Sequence, residues 1–86
     1  MNRGDILDEA KRLTLSNRQD TYGTPRANHQ RIAALWSVYL ERKVEPHDVA
    51  LMMALVKIAR LMATPNHLDS AVDGAAYFSI AGELAP

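Results

Sequence analysis

Segment 46–63 of this chain is apolar on nearly every side of a helix, which leaves few folds open to it. Pro46 suits a first helical turn, and the pair Thr64 and Pro65 ends the segment, because the residue before a proline disfavours helical backbone. A helix that is apolar all round has to be covered all round. The pattern therefore predicts a central helix that is covered by its own chain plus a partner subunit, or by a very complete bundle.

Three further helices are predicted around this central one. In the segment 3–17 the apolar residues fall mostly on one helical face, and Asp5 is placed as an N-cap. A second amphipathic helix starts at about Ala27, and a fourth follows Asn66, which can cap it. No alternation typical of strands appears. The sequence predicts one all-α domain over the whole chain, resembling a four-helix bundle.

Length and charge limit the function classes. An 86-residue chain buries only about 60–65% of the surface that its unfolded form exposes, so its core is thin and self-association is expected. Ten Lys and Arg balance ten Asp and Glu, which does not favour nucleic acid as a partner. The chain has no cysteine, signal-like stretch or membrane-length apolar run. We therefore expect a cytoplasmic protein without a membrane partner.

Four charged residues flank the turn at Pro65 in an otherwise apolar stretch: Lys57, Arg60, Asp69 and Asp73. Helices joined by a few residues pack antiparallel, so positions equally far from the turn should lie side by side. Lys57 should then face Asp73, and Arg60 should face Asp69. The sequence predicts two adjacent rungs of opposite charge across a hairpin of the third and fourth helices.

Two interpretations of these charges stay open. They can be salt bridges that fix the register of the hairpin and add little net stability. They can also form a site, in which Asp69 and Asp73 share a helical face and hold Mg²⁺ while Lys57 and Arg60 grip phosphate. Both interpretations require the same hairpin.

The polar segment 20–31 offers further candidate ligand-binding residues: Tyr22, Arg26, His29 and Arg31. A binding loop has this composition, and so does an ordinary solvated connection. By itself His29 is expected to be a surface or helix-start residue, because the three histidines of the chain show no metal spacing. No Ser-His-Asp arrangement, Walker loop, dinucleotide fingerprint or zinc signature is present, so no catalytic residue is assigned.

The order "YG", "RIAALW", "DVALMMALVKIARL" and "HLDSAVDGAAY" resembles a small helical domain of unknown function found in bacteriophage and prophage genes. The resemblance extends from about Tyr22 to Glu83. That domain is itself more loosely similar to phage nucleotide-modification-associated domains and to the all-α NTP pyrophosphohydrolases of the MazG and dimeric dUTPase type. The resemblance implies an oligomeric helical bundle that handles a nucleotide in the cytosol of a bacterial host.

The pyrophosphohydrolase pattern is only half matched. It calls for a Glu-x-x-Glu pair on one helix and a second acidic pair on the next long helix, which together hold Mg²⁺. Asp69 and Asp73 are the counterpart of the second pair, whereas the second helix offers Asn28, His29 and Arg31 where the first carboxylates are wanted. Two-metal hydrolysis therefore lacks ligands in this chain.

Three function hypotheses follow. The first is a phage-type nucleotide-binding homo-oligomer, in which Lys57 and Arg60, with Arg26 and Arg31, hold phosphates and Tyr22 or His29 stacks on a base. By analogy of size and helical build, such a protein could sequester a nucleotide signal of bacterial defence. The second is a Mg²⁺-dependent NTP pyrophosphohydrolase, the only hypothesis that needs a cofactor. The third is an adaptor whose apolar third helix docks another protein.

Overall fold

The computed structural model describes residues 1–15 and 23–86 of the chain. Within these ranges the backbone forms four helices, namely α1 (Arg3–Thr14), α2 (Pro25–Leu40), α3 (Pro46–Ala63) and α4 (Leu68–Leu84). The described part of the chain contains no strand. The predicted all-helical fold is confirmed. The loop residue Tyr22 lies outside the described residues.

The α3–α4 hairpin is the most extensive helix–helix contact of the chain. The turn between the two helices is closed by backbone hydrogen bonds, since the Thr64 amide donates to the Arg60 carbonyl at 2.8 Å and the His67 amide donates to the Thr64 carbonyl at 3.0 Å. The helices approach closely at Gly74, where an added Cβ would lie 3.7 Å from the Lys57 Cβ. This short turn sets the register that places α3 residues beside α4 residues.

Helices α1 and α2 pack on opposite members of this hairpin. Helix α1 lies mainly on α4, where Ala10, Val72 and Ala76 form a buried apolar cluster. Helix α2 lies mainly on α3. The buried apolar side chains are small, chiefly alanine and valine, as in Val49, which is fully buried. The core is therefore thin, as the length of the chain predicts.

The single chain covers only one face of α3. The covered face carries Val49, Ala50, Ala54 and Lys57. Large apolar side chains point outward from the rest of the helix, among them Leu55, which is 62% exposed, and Met62, which is 80% exposed. The expected cover from a partner subunit stays a prediction. No helix in the described ranges has the length and apolar content needed to cross a membrane.

The structure corrects two N-caps that the sequence predicts. The N-cap of α1 is Asn2 instead of Asp5: the Asn2 Oδ1 accepts the Asp5 amide at 2.9 Å, and the Asp5 Oδ2 accepts the Asn2 amide at 3.2 Å. This reciprocal capping box starts the helix earlier, because it satisfies two amides at once. The N-cap of α4 is His67, and Asn66 lies in the preceding turn.

Candidate functional site

One of the two predicted rungs forms. The Lys57 Nζ lies 3.2 Å from the Asp73 Oδ2, and the Lys57 side chain is only 11% exposed, while that of Asp73 is 31% exposed. An ammonium group that leaves water requires a nearby opposite charge. Asp73 therefore neutralises the buried end of Lys57, and we call these two residues the Lys57–Asp73 pair.

The second rung does not form. Arg60 and Asp69 are both exposed, and no ion pair joins them among the described residues. Water solvates each charge, so little free energy is gained by holding two long side chains together. Asp69 instead lies in the first turn of α4, where a negative charge complements the helix dipole.

An open cleft of about 380 Å³ lies next to the Lys57–Asp73 pair, with Asp73 in its wall. We call it the α1–α2–α4 cleft, after the three helices that contribute to it. Its apolar walls include Leu13, Pro25, Ala76 and Ile80, and its polar groups include Asn28, His29 and Asp73. A volume of about 300–1,000 Å³ is typical of small-molecule sites.

His29 is the most unusual side chain of the α1–α2–α4 cleft. It is only 4% exposed, which corrects the expectation of a surface residue, although it does lie near the start of α2. The ring Nδ1 lies 2.8 Å from the Pro25 carbonyl oxygen. A carbonyl only accepts hydrogen bonds, so Nδ1 carries the hydrogen, and the neutral ring then has an acceptor lone pair on Nε2. That buried Nε2 has no hydrogen-bond partner among the described residues.

The structure gathers some predicted site residues and leaves others apart. His29 and Asp73 line the α1–α2–α4 cleft, and Lys57 is held against it through Asp73. Residues that lie outside its lining and are exposed are Arg26, Arg31, Arg60 and Asp69. The predicted ligand-binding residue Tyr22 is not among the described residues. The binding roles of all these predicted site residues stay predictions.

Tyr77 is a cleft residue that the sequence did not single out. It lines the cleft, and its ring centroid lies 6.3 Å from that of His29 at an interplanar angle of 59°. Tyr77 follows Asp73 by four residues, which puts both on one face of α4. That spacing was the available signal, but an aromatic residue at helical spacing is also the ordinary signature of a core position.

The described residues include no group of three or more His, Asp or Glu side chains that could hold a metal ion. The Asp73 carboxylate already forms an ion pair with the Lys57 ammonium group. Mg²⁺ usually keeps one or two carboxylate ligands together with substrate phosphates and water. Magnesium binding at Asp69 and Asp73 therefore stays a prediction that the described geometry does not strengthen.

Fold and site together define a small all-helical domain with a ligand-sized cleft beside a partly buried ion pair. Residues 5–85 match the family described as Domain of unknown function (DUF6378). The chain belongs to this family.

Two relatives come from mycobacteriophages. The chain is 49% identical over 72 residues to the Gene 55 protein of Mycobacterium phage D29, covering 84% of this chain and 48% of the relative. It is 46% identical over 77 residues to the Gene 55 protein of Mycobacterium phage L5, covering 87% and 49%. The chain thus spans about half the length of the curated relatives it matches. No solved structure matches.

These relatives confirm the resemblance to a small phage-type domain of unknown function. The looser resemblances, to nucleotide-modification-associated domains and to MazG-like pyrophosphohydrolases, stay predictions.

Proposed function

We propose that this chain is a phage-type protein that binds a nucleotide in the α1–α2–α4 cleft. The observation that carries the proposal is His29, which lines a ligand-sized cleft and whose buried Nε2 has no partner among the described residues. Leaving a buried polar atom unpaired costs about 1–3 kcal/mol. A ligand that donates a hydrogen bond to this atom recovers that free energy.

The composition of the cleft favours a nucleobase. A base has flat apolar faces and polar edges, and the cleft combines apolar walls such as Leu13 and Ile80 with the polar groups of Asn28, His29 and Asp73. Small-molecule sites of this kind use the walls for affinity and the few polar groups for orientation.

The phosphates require cations outside the Lys57–Asp73 pair. Because Asp73 already neutralises Lys57, that ammonium is not a free phosphate ligand. Arg26 and Arg31 are exposed on α2, which begins at the cleft, and a guanidinium binds phosphate through two parallel hydrogen bonds. We assign the phosphate contacts to these two arginines, with the base directed inward.

We further propose that the protein self-associates through α3. A stripe of exposed apolar residues runs along this helix at helical spacing: Leu51, Leu55, Ile58 and Met62. The chain exposes 6109 Å², whereas about 5,000 Å² is typical of a compact monomer of 9.5 kDa. The difference of about 1,000 Å² is close to the area of about 800 Å² that each partner contributes to a stable interface. A second copy of the chain is the proposed occupant.

Sequestration of a nucleotide signal is the role in phage infection that we propose for such an oligomer. It requires binding without turnover.

Calorimetric titration with mono-, tri- and cyclic nucleotides tests the binding proposal. We expect saturable binding by members of the panel and at least about tenfold weaker binding after His29→Leu, which removes the buried acceptor. Gln30→Ala is the matched control, since Gln30 is the exposed neighbour on the same helix and lies outside the cleft lining. Absence of heat across the whole panel would contradict the proposal.

A further inference from the structure

We infer that two copies of the chain pair through antiparallel α3 helices about a two-fold axis. In this pair Leu51 packs on the partner's Met62 near each end of the contact. Leu55 packs on the partner's Ile58 in the middle. This inference rests on the proposed self-association through α3 and adds the direction and register of the pairing. It is carried by the spacing, the exposure and the flanking charge of one face of the helix.

The exposed apolar stripe of α3 has the spacing of a two-stranded helical pair. Its members follow one another at steps of four, three and four residues: Leu51, Leu55, Ile58 and Met62. Alternating steps of three and four keep side chains on one seam between two paired helices, as in coiled coils. The four side chains are between 40% and 80% exposed, so this seam is largely open to solvent in one chain. Helix α3 therefore presents about three turns of packing seam to a second helix.

Asp48 favours the antiparallel direction. It lies three residues before Leu51 and so continues the seam at the start of the helix, with its side chain 42% exposed. In a parallel pair the two Asp48 carboxylates would face each other, and like charges placed together oppose association. In the antiparallel pair they lie at opposite ends of the seam, about 25 Å apart along the helix axes. The two helix dipoles then also point in opposite directions, which is the favourable arrangement.

The ends of the apolar stripe set the register. With the two-fold axis midway between Leu55 and Ile58, every residue of the stripe meets an apolar residue of the partner's stripe. A shift by one heptad in one direction sets Asp48 against the partner's Ile58 and buries an unpaired charge. The same shift in the other direction moves Leu51 past the end of the partner's α3. The central register is therefore preferred, and a two-fold contact of this kind closes at two chains.

The inferred interface and the α1–α2–α4 cleft use different residues. The four stripe residues of α3 lie outside the cleft lining, which comes from α1, α2, α4 and the residues next to them. Each chain of the pair therefore keeps its own set of cleft residues. The pairing can be tested without a nucleotide, so its outcome is independent of the proposed binding.

Introduced thiols test the pairing, because the chain has no cysteine of its own. We expect a mixture of Leu51→Cys and Met62→Cys chains to form a mixed covalent dimer on mild oxidation. Leu51→Cys alone should not, since its two copies lie about 16 Å apart along the helix axes and a disulfide needs Cα atoms within about 7 Å. Gly82→Cys is the matched control, an exposed position on α4 where an added Cβ meets no atom within 4 Å, and it should link to neither variant.

The cross-linking outcomes separate this inference from self-association itself. Self-linking of Leu51→Cys without a mixed link shows parallel pairing, which overturns the inference and leaves association through α3 intact. Absence of every link in variants that sedimentation shows to be dimeric overturns the α3 register as well. A parent chain that stays monomeric contradicts the proposed self-association and the inference together.

A spin label on Ala63→Cys tests the direction without changing the stripe. Ala63 is the last residue of α3 and is exposed. The antiparallel register places its two copies about 20 Å apart along the helix axes, whereas a parallel pair places them side by side at about 8–10 Å, the distance between packed helices. Dipolar EPR of the labelled dimer distinguishes the two arrangements. A distance of about 20 Å or more supports the inference, and one near 10 Å overturns it.

Discussion

At the residue scale, the Lys57–Asp73 pair links stability to the candidate site. Lys57 is buried between α3 and α4, and the carboxylate that neutralises it is also part of the cleft wall. A substitution at Asp73 should therefore act both on folding and on the proposed binding, and the two effects have to be measured separately.

We predict that Asp73→Ala lowers the free energy of unfolding by about 1–3 kcal/mol, because it leaves a mostly buried ammonium without its partner. The double variant Lys57→Met with Asp73→Ala should lose less than the sum of the single variants. Urea denaturation measures the free energy of unfolding of the parent chain and of each variant. The same cycle on Arg60 and Asp69 is the control and should show almost no coupling, since both side chains are exposed and unpaired with each other. An Asp73→Ala variant as stable as the parent chain would disprove the structural role of the pair.

A second prediction at this scale concerns Glu9. The hydrogen bond that the Arg12 Nε donates to a Glu9 carboxylate oxygen at 3.1 Å lowers the pKa of Glu9 below its ordinary value. A lowered folded-state pKa means that the pair adds stability above the unfolded pKa and that this contribution is lost as pH falls through the folded pKa. Glu9→Gln should therefore slightly reduce stability at neutral pH and have no effect in acid below both values. A carbon-detected NMR titration of Glu9 measures the pKa, and a midpoint at or above the ordinary value would refute this assignment.

The Lys57–Asp73 contact could be predicted from residue counting alone, because a short turn fixes the register of the two flanking helices. The burial of His29 could not. It depends on how α1, α2 and α4 come together around the cleft, and those contacts join residues far apart in the chain. Tyr77 was missed for the same reason, since its role is defined by its neighbour on another helix.

At the element scale, helix existence followed from apolar periodicity, while the exact starts depended on capping. Asp5 is a good N-cap residue by type, yet Asn2 takes that position because the reciprocal hydrogen bonds of Asn2 and Asp5 satisfy two amides. Pro46 begins α3 as predicted, with Asp48 in the first turn accepting the Glu45 amide at 2.9 Å. Periodicity locates the body of a helix, and local hydrogen bonds choose its first residue.

The capping box gives a testable prediction. Asn2→Ala removes the side-chain acceptor for the Asp5 amide and should destabilise the chain by about 1 kcal/mol. Arg3→Ala, at the adjacent exposed position, is the matched control and should change stability much less. Thermal unfolding followed by circular dichroism compares them. Equal midpoints for both variants would show that the capping box does not stabilise α1.

At the scale of the whole molecule, the exposed apolar stripe of α3 is the main unexplained surface of a single chain. The chain is also extended for its length, with a radius of gyration of 13.4 Å against about 12 Å for a compact domain of this size. A second copy on this stripe would complete the cover that the apolar sequence of α3 predicts. The all-helical fold was predictable from the sequence, and the partner that the apolar sequence of α3 predicts stays a prediction, whereas the position of the exposed stripe required coordinates.

We predict that the chain self-associates in solution, with a mass of at least two chains of 9.5 kDa each. Leu55→Lys should reduce the mass to that of one chain, because it places a charge in the centre of the proposed interface. Glu83→Lys, at an exposed position on α4, is the control for the added charge and should leave the assembly intact. Sedimentation equilibrium measures the masses. A monomeric parent chain at high concentration would exclude self-association and would favour the adaptor hypothesis, in which another protein covers α3.

The central claim is that a nucleotide occupies the α1–α2–α4 cleft and uses the buried His29 Nε2, and the most direct test is long-range ¹H–¹⁵N NMR of the imidazole nitrogens. The chain has three histidines, and only His29 lines the cleft. During titration with a nucleotide of the panel that binds in calorimetry, the His29 Nε2 resonance should shift and saturate while those of His47 and His67 stay in place. An unmoved His29 resonance at nucleotide saturation, or equal shifts of all three histidines, would contradict the claim.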